Sequence, residues 1–325
     1  MNLKSLRNPY LYHGRIGKQY FEGWYFKLVD KTMEKAYAFI PGVFFSPNAK
    51  HSHAFIQIVD GIGCTYNYLK FPVESFSANR KYFEINIGEN LFGSEEVNFN
   101  LDHEESQITG SVRFRNHIKW PDSLINPGSM GFYNYILKMQ CYSQVTSMDF
   151  DLEGAIEYNG KNISFSGGRG YIEKNWGSAF PYSWIWIQCN HFKNYRASIS
   201  CSLAHIPFLW SCFRGFLIGL SIENDFYKFT TMNRSKVRVN QSGTDVSLYV
   251  ENSSHQLEID CKTDEGDFIL LNGPRDDQMV PLVQENLKGR VRIKMKETAT
   301  GKIIIADQGE CAGVEYGGDQ MMVLD

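Results

Sequence analysis

No stretch of this chain is apolar for the twenty or so residues that a membrane-crossing helix needs. The nearest approach runs from Ile206 to Ile222, and Pro207 and Arg214 interrupt it. An excess of one charge is also missing. Lys and Arg number 33 against 36 Asp and Glu, a formal net charge of -3. That balance leaves no footprint for nucleic acid or another polyanion. The short basic stretch Arg290, Arg292, Lys294 and Lys296 alternates with Val291, Ile293 and Met295, the outer face of a strand. Residues 1–18 are polar and contain no apolar core of signal-peptide length.

The seven Cys include no Cys-x-x-Cys pair and lie singly in apolar runs. The simplest reading is reduced, buried thiols in a reducing compartment, so a cytoplasmic protein is expected. Clustered metal ligands are lacking too. His51 and His53 would share one side of a strand, but no third ligand accompanies them. Gly167-Gly168-Arg169-Gly170 is followed by no Walker lysine, and neither a Gly-x-Ser-x-Gly elbow nor a dinucleotide fingerprint occurs. Neither metal nor cofactor is expected. Helical periodicity is scarce, with residues 123–126 and 279–286 the best candidates.

What the chain has is aromatic residues, 14% of the total, and the rhythm of strands and turns. Runs rich in Val, Ile, Tyr, Phe and Thr recur at 20–29, 35–45, 54–59, 107–116, 183–191, 198–205, 246–251, 256–261, 290–296 and 302–307. Turns fit at Asp60-Gly61, Asn159-Gly160, Glu265-Gly266 and Thr300-Gly301. Many short strands imply an all-β sandwich or barrel. Glu22-Gly23-Trp24 and Glu173-Lys174-Asn175-Trp176 echo each other and suggest two halves, 1–150 and 151–325. Pro121, Pro127, Gly128 and Gly131 mark an irregular link within the first half.

Three constellations mix polar and aromatic groups. Alternation puts Glu22 and Trp24 on one face of a strand, with Tyr25 and Lys27 on the other. Glu173 and Trp176 precede Trp184, Trp186, Gln188 and Asn190, the last four all facing one way. His53, Phe55 and Gln57 share a third face. An apolar core does not carry amides in line with indoles, whereas a ligand-lined barrel interior can. A carboxyl held among aromatics has its pKa raised by desolvation and can protonate a double bond at neutral pH. Aromatic faces would then stabilise the carbocation by ~2 kcal/mol each when desolvated.

At these residues the chain resembles the tocopherol cyclase family. The resemblance lies in the segments 20–27, 53–57 and 168–181, continues through 184–188 and 190–192, and returns at 215–216, 284–289 and 313–318. It implies two lipocalin-like antiparallel β-barrels packed side by side, akin to the carotenoid hydratase group. It also implies cofactor-free closure of a prenylated hydroquinone to a chromanol. On that reading Glu22 or Glu173 donates the proton, with the alternative that one of them is held by Lys27 or Lys174 as a structural pair. Trp24, Tyr25, Trp176, Trp184 and Trp186 wall the cation, and His53, Gln57, Gln188 and Asn190 contact the substrate. The chain departs from the family pattern at Ser143 and Phe150, where a histidine is common. The same scaffold would also suit a carrier of a hydrophobic isoprenoid, or a hydratase of its double bond. The segment from Ile206 to Ile222 reads as buried strands with a turn near Arg214, or as an apolar lip touching a membrane.

Overall fold

The computed structural model describes residues 3–136, 139–208, 211–319, 321, 323 and 324. The chain forms strands almost throughout. The first twelve are β1 (Tyr20–Val29), β2 (Ala36–Phe45), β3 (His53–Asp60), β4 (Thr65–Phe71), β5 (Phe76–Ala78), β6 (Glu84–Ile87), β7 (Asn90–Gly93), β8 (Glu96–His103), β9 (Ser106–Ile118), β10 (Cys141–Tyr158), β11 (Lys161–Ser164) and β12 (Arg169–Gly177). The others are β13 (Ser183–Cys189), β14 (His191–Phe192), β15 (Ala197–Phe208), β16 (Ser211–Ile222), β17 (Asp225–Thr230), β18 (Lys236–Ser242), β19 (Asp245–Glu251), β20 (His255–Lys262), β21 (Ile269–Arg275), β22 (Gln278–Glu297) and β23 (Ile303–Gly318). No described helix is long and apolar enough to cross a membrane.

Two antiparallel sheets result. One runs β4-β3-β2-β1-β12-β10-β9-β8-β7-β6-β5, with β11 on β10. The other runs β17-β16-β15-β13-β23-β22-β20-β19-β18, with β14 on β23 and β21 on β22. Neither order returns to its start, so among the described residues the sheets are open and not the closed barrels expected. Edge strands of three residues, as in β5, or half exposed, as in β4, offer little to close a ladder.

The chain divides into two compact units. Unit 1 is Met1–Phe180 with Asn272–Pro281, and unit 2 is Pro181–Leu271 with Leu282–Asp325. A division at residue 150 would cut β10, which pairs with β9 and β12 on its two sides. Each unit has its own core. In unit 1, Phe26, Phe39, Phe92, Phe99 and Phe114 are fully buried with Ile56, Ile58 and Ile172. In unit 2, Ile185, Ile187, Leu203, Ile218, Leu248 and Ile293 fill the same role. These interiors are packed with side chains, and of the three polar-aromatic faces expected to line a ligand only that of Glu22 and Trp24 points into one.

Two local helical expectations fail. Residues 279–286 belong to β22, where Val283 and Asn286 pair with Gly317 and Val314 of β23. Long-range pairing overrides a weak helical period. Residues 123–126 form a turn closed by Ser123 N–H donating to Asn126 O at 3.0 Å. Between Ile206 and Ile222, no turn falls at Arg214, which pairs with His205 inside the β15–β16 ladder. Phe216, Ile218, Leu220 and Ile222 are buried in the unit 2 core, while Cys212 is exposed and Ile206, Pro207, Phe213 and Arg214 are half-buried. Residues 209 and 210 of that stretch lie outside the described residues.

Candidate functional site

The register of β1 on β12 decides which of the singled-out residues meet. Glu22 pairs with Trp176, Trp24 with Lys174, and Tyr25 with Glu173. Side chains alternate across a strand. Glu22, Trp24, Lys174 and Trp176 therefore share one face, the face of the unit 1 core. Tyr25, Glu173 and Asn175 share the other. The two candidate acids stand on opposite sides of one sheet.

On the core face, Glu22 is fully buried. Its Oε1 lies 2.5 Å from Lys174 Nζ, also fully buried. His13 N–H donates to Oε1 at 3.0 Å and Oε2 at 3.2 Å, and the Tyr20 hydroxyl donates to Oε2. Lys174 further donates to Pro9 O at 3.1 Å and Leu11 O at 2.5 Å, with His13 Nδ1 at 2.8 Å. The N-terminal segment is thus strapped down over the polar end of the core. The His13 ring stacks on Trp176 at 4.1 Å, and Lys174 Nζ lies 4.6 Å from the Trp176 ring and 5.3 Å from that of Trp24. Burial alone would raise the Glu22 carboxyl, but Lys174 and His13 outweigh it and hold it below the usual value. Glu22 is an ionised counter-ion here, not the neutral acid expected from desolvation. Trp24 and Trp176 already offer their faces to the Lys174 cation.

Burial and the Lys174 charge lower His13 to about 4. The unfolded value lies near 6.5. A folded-state pKa that is depressed gives stability present above the unfolded value and lost as pH falls toward the folded one. Unfolding in urea should therefore show stability declining between about pH 6.5 and 4, by at most ~1.4 kcal/mol per unit from this group. His13→Asn should flatten that part of the profile. An unchanged slope in the variant would remove His13 as its source.

The opposite face of unit 1 collects the other residues. Glu173 is 7% exposed; it accepts from Tyr171 OH at 2.7 Å and from Asn175 Nδ2 at 3.0 Å. The register Gly23–Gly42 and Phe26–Phe39 sets Tyr25 opposite Ile40, which pairs with Gln57. Gln57, Ile40, Tyr25 and Glu173 so form one row across four strands, about 14 Å from end to end at the usual strand spacing. A second row runs Phe55, Gly42, Gly23, Asn175 and Ser143. The end of the Phe55 ring lies against Gly42, where an added Cβ would stand 2.4 Å from it. Only glycine leaves room for that ring against the sheet. Phe21, Phe44, Phe55 and Cys141 make an apolar patch joined by Phe180 and Met279.

Polar atoms line the far end of this face. His53 Nδ1 lies 2.6 Å from His51 O, which can only accept, so Nδ1 carries the proton. Its Nε2 then accepts from Tyr68 OH at 2.6 Å. Burial lowers the His53 pKa and favours this neutral form. Tyr66 OH donates to Gln57 Oε1 at 2.5 Å and accepts from Asn272 N–H at 3.0 Å. The tip of the β21–β22 hairpin therefore belongs to the same surface. Tyr66, Tyr68, Tyr171 and His13 were not singled out from the sequence. Strand alternation could have found Tyr66 and Tyr68; nothing local marks His13.

Trp184, Trp186, Gln188 and Asn190 are buried in unit 2. They face away from the core residues Ile185, Ile187 and Cys189. The Trp184 and Trp186 rings rest on Gly317 and Gly313, and Trp184 Nε1 donates to Glu315. Of the two departures, Phe150 is core, its ring on Gly170 and 4.5 Å from that of Phe114. Ser143 instead lies on the Glu173 face, opposite Asn175. Among the described residues no three His, Cys, Asp or Glu gather as a metal site requires.

The comparisons agree with this architecture. The "Tocopherol cyclase, chloroplastic" of Zea mays is 29% identical over 182 residues, covering 51% of this chain and 36% of that protein. The chain thus spans well under half the length of the curated relatives it matches. The crystal structure of CghA with Sch210972 superposes with a TM-score of 0.60 at 10% identity, over 94% of this chain and 90% of the other. Kievitone hydratase from Nectria haematococca superposes with a TM-score of 0.50 at 12% identity, over 92% and 89%. These likenesses show a shared two-sheet lipocalin-like fold. Residues 100–318, well over half of the chain, match the family described as tocopherol cyclase-like, and the chain belongs to that family.

Proposed function

We propose that this protein is a cofactor-independent isomerase that closes a prenylated hydroquinone, or a similar isoprenoid phenol, to a chromanol, with Glu173 as proton donor. The observation that carries this reading is the division of the two glutamates. Glu22 is bound in a buried ion pair with Lys174 on the core face, while Glu173 accepts from Tyr171 OH and Asn175 Nδ2 on the opposite face, which it shares with Tyr25, Phe55, Gln57, His53 and the buried Lys27. In the proposed step the Glu173 O–H protonates the prenyl double bond. The phenol oxygen attacks the resulting cation, a C–O bond forms, and the phenol proton returns to the carboxylate. Atoms balance and no electrons leave. The Tyr25 and Phe55 rings would face the cation, worth ~2 kcal/mol each when desolvated. Gln57 and the neutral His53–Tyr68 pair would hold the substrate hydroxyl. The roof of Phe180 and Met279 would keep water from the cation.

The family supports a cyclase or hydratase reaction of this kind. Purified protein incubated with a phytylated hydroquinone is expected to yield a ring-closed product of unchanged mass. A product heavier by one water would replace cyclase with hydratase. Bound substrate without turnover would make the protein a carrier and overturn the catalytic reading.

A further inference from the structure

Unit 1 holds a cluster of large apolar side chains out in solvent. Ile125 is 77% exposed, Leu124 63%, Phe132 44% and Tyr135 42%. These residues sit on the proline-bearing link between β9 and β10 and on the 3-10 turn Gly131–Tyr135 that follows. The link is not slack. Tyr135 OH donates to Leu124 O at 2.8 Å, and Asn134 Nδ2 donates to Pro127 O at 2.6 Å. Ser123 N–H closes a turn on Asn126 O at 3.0 Å. Internal bonds thus fix Leu124 and Ile125 at a turn tip beside Tyr135, with backbone polar groups satisfied and apolar side chains outward. Single exposed apolar residues are ordinary, but a contiguous group held in place is a mark of an interaction surface.

The charge around it selects the partner. The short helix Leu3–Arg7 packs against the 3-10 turn. Residues 3–19 and 119–136 carry Lys4, Arg7, Arg15, Lys18 and Lys119, against a single acid, Asp122. Arg7 and Lys119 are exposed. This excess of basic residues in the two segments stands out in a chain of net charge -3. Apolar side chains in segments that also bear the exposed Arg7 and Lys119 match an anionic bilayer, where the former enter the headgroup–acyl boundary and the latter meet lipid phosphates.

We propose that the loop bearing Leu124, Ile125, Phe132 and Tyr135 docks this protein on a bilayer carrying anionic headgroups. This goes beyond the catalytic reading and does not depend on it. The test uses the full chain and vesicles without substrate, so its outcome is independent of turnover. Flotation with vesicles of phosphatidylcholine and phosphatidylglycerol should recover the protein; vesicles of phosphatidylcholine alone should recover far less, and added salt should release it. The double variant Leu124→Asp, Ile125→Asp should lower the bound fraction about tenfold with circular dichroism unchanged. Tyr182→Ser, at an exposed aromatic of unit 2, serves as the control and should bind as wild type. Absence of vesicle binding, binding untouched by the double variant, or an equal loss in the control would each overturn the proposal. Self-association abolished by the double variant would assign the surface to a second copy instead, and overturn it too.

Discussion

Glu173→Gln is expected to fold as the wild type does and to lose turnover by roughly 10³-fold. The amide is nearly isosteric with the carboxyl, and its oxygen can still accept from Tyr171 OH or Asn175 Nδ2, which lie at 2.7 and 3.0 Å from the native carboxylate. What it cannot do is release and regain a proton. Because the protonation step is the barrier in the proposed ring closure, the loss should fall on kcat with little change in KM. Single-turnover assays with product mass as readout, beside thermal unfolding curves, separate chemistry from stability. Turnover at the wild-type rate would end the assignment. The assignment would then move to Glu22, which would have to take its proton against the pull of Lys174.

The second large effect concerns stability. Lys174→Met should cost about 3–5 kcal/mol, the range seen when one partner of a buried ion pair is removed. The Glu22 carboxylate would remain in a site with no solvent access, and the Pro9 and Leu11 carbonyls would lose their common donor. The double variant Glu22→Gln, Lys174→Met should recover part of that loss, because the uncompensated charge is gone. Burial lowers the Lys174 ammonium to about 8 even with Glu22 beside it, so the site charges its occupants heavily for ionisation. Urea unfolding of the two single variants and the double yields the coupling directly. A cost below about 1 kcal/mol for Lys174→Met would mean that the pair does not hold the N-terminal strap.

Part of this arrangement was legible before any coordinates. The run of residues 20–29 reads as a strand and is β1 to the residue, because a short run so dense in Phe, Trp, Tyr and Val favours a buried strand. The segment 246–251 reads as a half-buried strand, and β19 shows that alternation in its burial. Long strands were read short. The run at 290–296 is the second half of β22, whose first half looked helical. The odd, scattered cysteines are all free thiols. The candidate site was legible by strand and not by sheet. Glu22 with Trp24, and His53 with Phe55 and Gln57, do share faces as alternation requires. A structural pair of one glutamate with Lys27 or Lys174 could be read; which glutamate met Lys174, that His13 would join it, and that Glu173 would look the other way, could not.

Chain chemistry by itself therefore specified the strands, the side each residue takes within its own strand, and the family. Only the tertiary structure chose which strands became neighbours and at what offset. Between β1 and β12, more than a hundred residues apart in the chain, a slip of one position would exchange every face. That offset is set by the burial of Phe26, Ile172 and the rings around them, a collective packing term that no local window contains. It placed one glutamate in a sealed ion pair and left the other where a substrate is proposed to bind.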